Sequence, residues 1–327
     1  MKNEFLTPQE VAARIEAGAV MSIAGAPELL STLPKGNWIG GSTVYFMTEA
    51  GGKVDREHLF CTTFPEGSRA TARHLATADL PTLAQGYQPA GVTLVIIPAF
   101  SEAHARFAED GAGYGDVFDQ PLLGWVSGVH LDEIGKVTPS VFDGAQGAKH
   151  EDGAVLLHVA LPDGMQPSLD IVNIFKQGDD AGLVVSFPEA GFSARKAYVN
   201  GAEVDFSQYV TEKGIDTKLP LVANYAGALI NVSFQSVDPE ASSVAFYAPV
   251  FPGVEYRLAA PQEDYAKTFA AQVGSAGEGS YSCNCILNYV YGDMEGKLTA
   301  GFTGPVTFGE IAYVLLNQTL VKLDLAA

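Results

Sequence analysis

Basic residues are scarce in this chain of 327 residues. It contains 19 Lys and Arg against 38 Asp and Glu, so its formal net charge is −19 with neutral histidines. That average field repels a phosphate backbone or an anionic bilayer surface, and no cluster of Lys and Arg breaks it locally. The composition therefore argues against nucleic-acid and membrane partners.

Cysteine is also rare, and long apolar runs are missing. The chain has 3 Cys, an odd and small number, and its first residues contain no apolar h-region, so we expect neither a disulfide framework nor a secretory signal. The long uncharged stretch 219–237 includes Pro220, Asn224 and Asn231, which favours a pair of buried strands over a membrane span. We expect a cytoplasmic protein with reduced thiols.

The chain nevertheless has ample apolar surface for a compact fold. Hydrophobic residues make up 47% and charged residues 17%, which excludes intrinsic disorder. In the first half strands alternate with helices, as where the apolar run 94–100 precedes Ser101, a helix N-cap, and a helix to about Asp110. Beyond Pro162 the strands are closely spaced, with a hairpin turn at Asn200-Gly201. We predict a two-part mixed α/β protein with a largely antiparallel C-terminal half.

Several local elements follow from short patterns. Thr7 is predicted to be the N-cap of a helix, and Glu10, three residues later, completes a capping box with it. The pattern of residues 262–273 predicts a further helix. The glycine-rich segment 274–280 is predicted to be a loop, and residues 282–291 a closing strand.

No catalytic signature stands out among the motifs. Ser127, between Gly124 and Gly128, is one position late for a nucleophile elbow. Cys283 and Cys285 would face the same side of a strand, but a zinc site needs two further ligands, and none stands at ligand spacing. His158, in an apolar strand, is most simply a hydrogen-bonded core residue. We predict no catalytic residue, no metal and no cofactor, and we favour binding over enzymatic activity.

Four segments carry an ordered series of motifs: Ser282-Cys283-Asn284-Cys285, Gly301-Phe302, Phe308-Gly309-Glu310-Ile311 and Asn317-Gln318-Thr319-Leu320. The series resembles the C-terminal motifs of the FIST domain family, whose members are regarded as intracellular sensory modules for small ligands. Residues 94–162 resemble the family's N-terminal half. There the family's glycine turn falls on residues 124–128, and Val129 stands where an acidic residue is usual.

The resemblance implies both a domain organisation and a function. We predict a FIST N-like α/β domain over residues 1–165, a connecting segment over 166–190 and a FIST C-like domain over 191–327. The implied function is a cytoplasmic sensory protein that binds a small molecule, such as an amino acid or a related metabolite, and reports to a separate signalling protein. One branch of the family binds haem, but no histidine lies in a haem motif, so we expect colourless protein.

Aromatic and polar residues near the glycine turns have the makeup of a small-ligand pocket. The candidate ligand contacts are Trp38, Tyr45, Trp125, Ser127, His130, Cys283, Asn284, Glu310, Asn317 and Gln318. Glu310 is the sharpest of them, because it follows Gly309 and is the only charged residue between Lys297 and Lys322. We expect its carboxylate to hold a donor group of the ligand.

Two alternatives belong to other classes. In the first, the protein is a thiol-dependent enzyme in which Cys283 or Cys285 attacks a carbonyl and His130 or His158 acts as base. In the second, it is a protein-interaction scaffold, which predicts no stabilisation by any metabolite. The sequence favours no particular oligomeric state.

Overall fold

The computed structural model describes residues 1–179, 182–225, 227–262, 265–273, 279–299 and 301–326. It is a mixed α/β fold, as predicted, in which strands predominate. The chain divides into two compact units. The first comprises Met1–Val172, Phe269–Leu315 and Thr319–Ala327, and the second comprises Asn173–Thr268 and Leu316–Gln318. The chain therefore enters the second unit inside the predicted connecting segment, and much of its C-terminal part returns to the first.

The helices are short. They are α1 (Pro8–Glu16), α2 (Pro27–Leu30), α3 (Glu102–Asp110), α4 (Phe206–Glu212), α5 (Tyr265–Val273) and α6 (Ile286–Tyr291). Among these described helices none is long and apolar enough to cross a membrane.

The strands account for most of the regular structure. They are β1 (Lys2–Leu6), β2 (Met21–Gly25), β3 (Trp38–Ser42), β4 (Tyr45–Thr48), β5 (Gly51–Val54), β6 (Leu59–Thr63), β7 (Arg69–Leu75), β8 (Gly91–Pro98), β9 (Leu122–Ser127), β10 (Val141–Asp143), β11 (Ala148–His150), β12 (Ala154–Ala160), β13 (Gln166–Val172), β14 (Val184–Ser186), β15 (Gly191–Ala194), β16 (Lys196–Val199), β17 (Ala202–Asp205), β18 (Leu221–Tyr225), β19 (Ala228–Val232), β20 (Phe234–Asp238), β21 (Ser243–Val250), β22 (Tyr256–Leu258), β23 (Tyr281–Cys285), β24 (Gly304–Thr307), β25 (Glu310–Ala312), β26 (Val314–Leu316) and β27 (Leu320–Ala326).

The first unit repeats one six-stranded sheet three times. The strand orders are β1-β6-β2-β3-β10-β11, β7-β12-β8-β9-β25-β26 and β13-β27-β23-β24-β4-β5. In each sheet the two central strands, β2 and β3, β8 and β9, or β23 and β24, run parallel. Parallel neighbours need a crossover, and α2, α3 and α6 lie in the three crossovers. The three sheets are thus copies of one topology.

Each copy gives a hairpin to another copy. The chain leaves β3 to form β4 and β5, yet β4 pairs with β24 of the third sheet. In the same way β10, which follows β9, pairs with β3, and β25, which follows β24, pairs with β9. These exchanges link the three sheets in a closed cycle, so no copy has all its strands from one stretch of chain.

The second unit is inserted between β13 and the C-terminal part of α5. Its sheets have the orders β17-β16-β14-β22-β18-β19 and β15-β21-β20, and all the pairings resolved between these strands are antiparallel. The hairpin predicted at Asn200-Gly201 is confirmed, with φ of 48° and 84° at the two residues. The stretch 219–237 contains β18 and β19, the predicted pair of strands. Five aromatic rings pack against one another in the core of the second unit: Phe187, Phe206, Phe234, Phe246 and Tyr256.

Local sequence signals were accurate except at one element. The Thr7 capping box and the Ser101 N-cap are both present, and residues 265–273 are helical as predicted. The strand predicted over 282–291 is wrong in its second half, where α6 begins at Ile286. The first four residues of α6 are all buried, including the polar Asn288, so the segment lacks the one-sided apolar periodicity that distinguishes a helix from a strand. Of the predicted loop 274–280, residues 274–278 lie outside the described residues.

Candidate functional site

The parallel strands β3, β9 and β24 end at equivalent residues. Ser42, Ser127 and Thr307 each pair with the last residue of the preceding parallel strand. Hydrogen bonds join these three strand ends: Gly128 N–H donates to the Ser42 carbonyl at 2.8 Å and Phe308 N–H to the Val126 carbonyl at 3.0 Å, and the Thr43 hydroxyl donates to the Val306 carbonyl at 2.8 Å. We call this meeting point the strand-end junction.

Close backbone approach holds the strand-end junction together. The Ser42 hydroxyl donates to the Gly128 carbonyl at 2.8 Å and accepts from Ser140 N–H at 2.9 Å. Gly128 has no space for a side chain, because an added Cβ would overlap the Phe308 ring. The glycine turn singled out in the sequence is therefore the place where two copies of the topology touch.

A small cavity of about 40 Å³ lies beside the junction. That volume suffices for roughly two or three water molecules. Its lining consists of Pro27, Glu28, Thr43, Val44, Arg56, Gly128, Val129, His130, Glu133 and Val137. We call it the junction cavity.

Charged side chains of both signs line the junction cavity. Arg56 forms an ion pair with Glu133 at 2.9 Å, with side chains 47% and 32% exposed, so the pair stands where the cavity borders solvent. The hydrogen bond from Arg56 lowers the pKa of Glu133 below its usual range, so this carboxylate is ionised at neutral pH. Glu28 adds a second acid and His130 a second basic group.

Tyr45 and His130 come together at the junction cavity. Their rings stack with centroids 5.4 Å apart. The Tyr45 hydroxyl accepts from Leu131 N–H at 3.1 Å, and burial raises the pKa of Tyr45, so the phenol is neutral. His130 Nδ1 accepts from Asp132 N–H at 3.3 Å. Since a backbone N–H can only donate, the neutral ring carries its proton on Nε2.

Four other predicted contacts are core residues of the first unit. Trp38 and Trp125 are 2% and 0% exposed, and Ser127 and Cys283 are both 0% exposed. The Trp38 indole donates to the Pro34 carbonyl at 2.9 Å, and the Cys283 thiol to the Gly124 carbonyl at 3.3 Å. These contacts are made within the protein.

Asn284 is also buried, 2% exposed, in the first unit. Its Oδ1 accepts from the Asn288 amide at 2.8 Å. Asn288 also donates to the Thr319 carbonyl at 2.9 Å, so the two amides join β23 to α6 and to the start of β27.

Glu310 lies on β25 and is 0% exposed. Its carboxyl accepts from the hydroxyls of Thr319 at 2.8 Å and Thr307 at 3.1 Å. Burial raises the pKa of Glu310 to about 8, against the lowering effect of these hydrogen bonds. The carboxyl group that was expected to hold a donor group of a ligand is thus inside the core and predominantly protonated at neutral pH.

Asn317 and Gln318 belong to the second unit. The Asn317 amide donates to the Asn231 carbonyl at 2.9 Å, and its Oδ1 accepts from Ser233 N–H at 3.0 Å. Gln318 donates to the Lys218 carbonyl at 3.1 Å. Both side chains hold their own backbone segment within that unit.

The cysteines are buried. Burial raises the pKa values of the Cys61 and Cys283 thiols, so both are protonated at neutral pH and unsuited to nucleophilic attack. Within the described part of the chain no group of three His, Cys, Asp or Glu residues could hold a metal ion. His158 is a core residue as predicted, with Nδ1 2.8 Å from the Thr93 hydroxyl.

Of the ten predicted contacts, the structure places His130 in the lining of the junction cavity and Tyr45 against the His130 ring. Sequence reasoning missed Glu28, Arg56 and Glu133, although Arg56 is one of only 19 basic residues. In comparisons with known proteins, the sequence model of a family of unknown function matches residues 6–326. No curated protein matches the sequence.

Proposed function

The chain belongs to the family of unknown function DUF6976, and we propose that it is a cytoplasmic sensory protein of the FIST type. Its ligand is a small zwitterion such as an amino acid, bound in the junction cavity. The observation that carries the proposal is the charge pattern of the lining, where the Arg56 guanidinium stands beside the carboxyl groups of Glu28 and Glu133. A ligand with one carboxylate and one ammonium group complements both signs.

The ion pair at the cavity edge suggests how the ligand enters. A guanidinium binds a carboxylate through paired, charge-assisted hydrogen bonds. A ligand carboxylate can therefore replace Glu133 on Arg56, and the freed Glu133 can accept from the ligand ammonium. The cavity of about 40 Å³ takes only the charged head, so the rest of the ligand extends through the opening.

This exchange of partners also offers a signal. Glu133 belongs to the segment between β9 and β10, which also contributes His130 and Val137 to the lining. Moving Glu133 from Arg56 to the ligand changes the contacts of that segment. A separate signalling protein that recognises the segment would sense the ligand.

The test is titration calorimetry of the full chain with glycine, alanine, leucine, phenylalanine, glutamate and lysine. We expect at least one of them to bind, and Arg56→Met to weaken that binding about 10- to 100-fold, the usual value of a hydrogen bond to a charged group. Arg106→Met is the matched control, because Arg106 lies on α3, where its partners are Glu102 and Asp110. Equal affinity of the two variants, or no binding by the wild type, would refute the proposal.

The same experiment tests the scaffold alternative, and the burial of Cys283 bears on the thiol-enzyme alternative. A protein-interaction scaffold gives no heat and no thermal stabilisation with any of the six compounds. A thiol-dependent enzyme needs an accessible thiolate, and the burial of Cys283 disfavours that function.

A further inference from the structure

Phe100 combines two unfavourable properties. Its backbone is in the left-handed region, with φ of +63°, and its side chain is 55% exposed. A bulky residue in that region carries an energetic cost and stays there only when its surroundings fix it. Because most of the ring remains in water, burial compensates little of that cost.

The other two copies of the sheet show that the fold does not require this turn. Pro98, which precedes it, is equivalent in register to Gly25 and Cys285. After Gly25, α2 begins with an N-cap at φ of −61°, and after Cys285, α6 begins at once with φ of −65° at the cap. Only the second copy has three residues, 99–101, between strand and helix.

Specific hydrogen bonds hold the turn in place. Phe100 N–H donates to His104 Nδ1 at 3.4 Å, and the Ser101 hydroxyl donates to the Pro98 carbonyl at 2.7 Å. Burial lowers the pKa of His104 to about 4, so its ring is neutral and able to accept at neutral pH. Ala99 N–H donates to the Ser127 carbonyl at 3.1 Å, which fastens the turn to the strand-end junction.

The position of Phe100 connects it to the junction cavity. Its ring meets the Phe308 ring edge to face, with centroids 6.1 Å apart and planes at 78°. Phe308 in turn covers Gly128 so closely that no Cβ would fit there, and Gly128 lines the cavity. The aromatic pair is therefore connected to the cavity lining through Gly128, and Phe100 is its exposed member.

We propose that Phe100 is a specificity-determining contact of the junction cavity, and that the ligand carries an aromatic or large aliphatic group beside its charged head. This inference rests on the proposed function. An apolar group laid over Phe100 removes exposed ring surface from water, and an aromatic group adds the geometry of a ring pair. A strained, exposed phenylalanine then has a role in the bound state that it lacks in the free state.

The test compares glycine, alanine, leucine and phenylalanine as calorimetric probes of the wild type, Phe100→Ala and Phe118→Ala. We expect the wild type to bind leucine or phenylalanine at least about tenfold more tightly than alanine. Phe100→Ala should bring these affinities within about twofold of one another and leave that for alanine unchanged. Phe118→Ala is the control, since Phe118 is also exposed, at 59%, and also rests against an aromatic partner, Tyr313, at 5.4 Å.

The outcomes separate this inference from the proposed function. Binding that depends on Arg56 but shows no preference for apolar side chains, or a preference that survives Phe100→Ala, overturns the role of Phe100 alone. Binding of glutamate or lysine but of none of these four probes also overturns the role of Phe100 alone, and no binding of any of the six compounds overturns both. Should Phe100→Ala fold poorly, Phe100→Gly, which accepts a positive φ without strain, must show the same loss of preference.

Discussion

Glu310 occupies a position that phenylalanine holds in the other two sheets. It is paired with Trp125, two residues before Ser127, and the equivalent pairings are Phe142 with Gly40 and Phe46 with Pro305. Phe46 and Phe142 are both buried. One copy of the topology thus carries a carboxylic acid where the others carry an apolar ring, and the hydroxyls of Thr307 and Thr319 meet the acid there.

The raised pKa of Glu310 predicts a pH dependence of stability. Its pKa is about 8 in the folded protein, above the ordinary glutamate value of 4.5 that applies to the unfolded chain, so between these values the folded state binds more protons than the unfolded state. Stability therefore falls as pH rises through that window, by about 1.4 kcal/mol per unit of pKa difference. We expect Glu310→Gln, which cannot ionise, to lose less stability between pH 5 and pH 8 in urea unfolding.

Glu203→Gln is the matched control for Glu310→Gln. Glu203 is exposed and its pKa is lowered by Lys196, so it is ionised in both states above about pH 5. Its removal should leave the slope of stability against pH between pH 5 and pH 8 as it is in the wild type. Parallel slopes for wild type and Glu310→Gln would contradict a protonated Glu310.

The three cysteines should be unreactive in the folded protein. Cys61, Cys283 and Cys285 are all buried, and the raised pKa values of Cys61 and Cys283 leave little thiolate at neutral pH. With an aromatic disulfide reagent at pH 7.5, we expect labelling only at the rate of unfolding, and three thiols per chain in guanidinium chloride. Rapid labelling of one thiol in native protein would revive the thiol-enzyme alternative.

Among the secondary-structure elements, the sequence predicted those features that depend on contacts between residues close together in the chain. The α1 capping box and the turn at Asn200-Gly201 depend on contacts within a few residues, and both are present. α6 was missed because its first turn is buried on every side, which removes the periodicity that marks a helix. The exchanged hairpins were missed because β4 pairs with β24, far away in sequence, and no local pattern specifies such a partner.

The Ser42 hydroxyl makes two of the buried hydrogen bonds of the strand-end junction, which gives a prediction for Ser42→Ala. The Ser42 hydroxyl donates to Gly128 and accepts from Ser140, and its removal leaves a buried carbonyl and a buried N–H without that partner. We expect a loss of about 1–3 kcal/mol in the free energy of unfolding, measured with urea.

Ser31→Ala is the comparison for Ser42→Ala. The Ser31 hydroxyl donates to the Pro27 carbonyl at 2.7 Å in an exposed setting, where water can replace it, so the change should cost no more than about 0.5 kcal/mol. Equal costs for the two variants would show that the junction does not depend on Ser42.

The sequence predicted only the part of the candidate site that lies close together along the chain, namely a glycine turn and His130. Arg56 lies between β5 and β6, and long-range strand pairing brings it to the site.

For the whole molecule, the division of the chain into two units depends on which strands pair with the last strand, β27. β27 lies between β13 and β23 in the third sheet, so residues 319–327 belong with the first 172 residues. The sequence predicted a C-terminal domain from residue 191, because closely spaced strands look alike whichever sheet they join. The long-range pairings of β24, β25 and β27 with strands of the N-terminal part show that the second unit is inserted and not terminal.

This placement predicts that a chain ending at Gln318 cannot form the first unit. It would lack a strand with partners on both sides, whose buried residues include Leu320, Val321 and Leu323, and the Thr319 hydroxyl that reaches Glu310. Because the cycle of exchanged hairpins connects all three sheets, the damage should spread beyond the third sheet. We expect loss of the cooperative unfolding transition and of dispersed amide signals from the first unit, whereas a control chain ending at Leu325 keeps both. A truncated chain that still unfolds cooperatively, with native signals from β2 and β8, would show instead that the sheets fold independently.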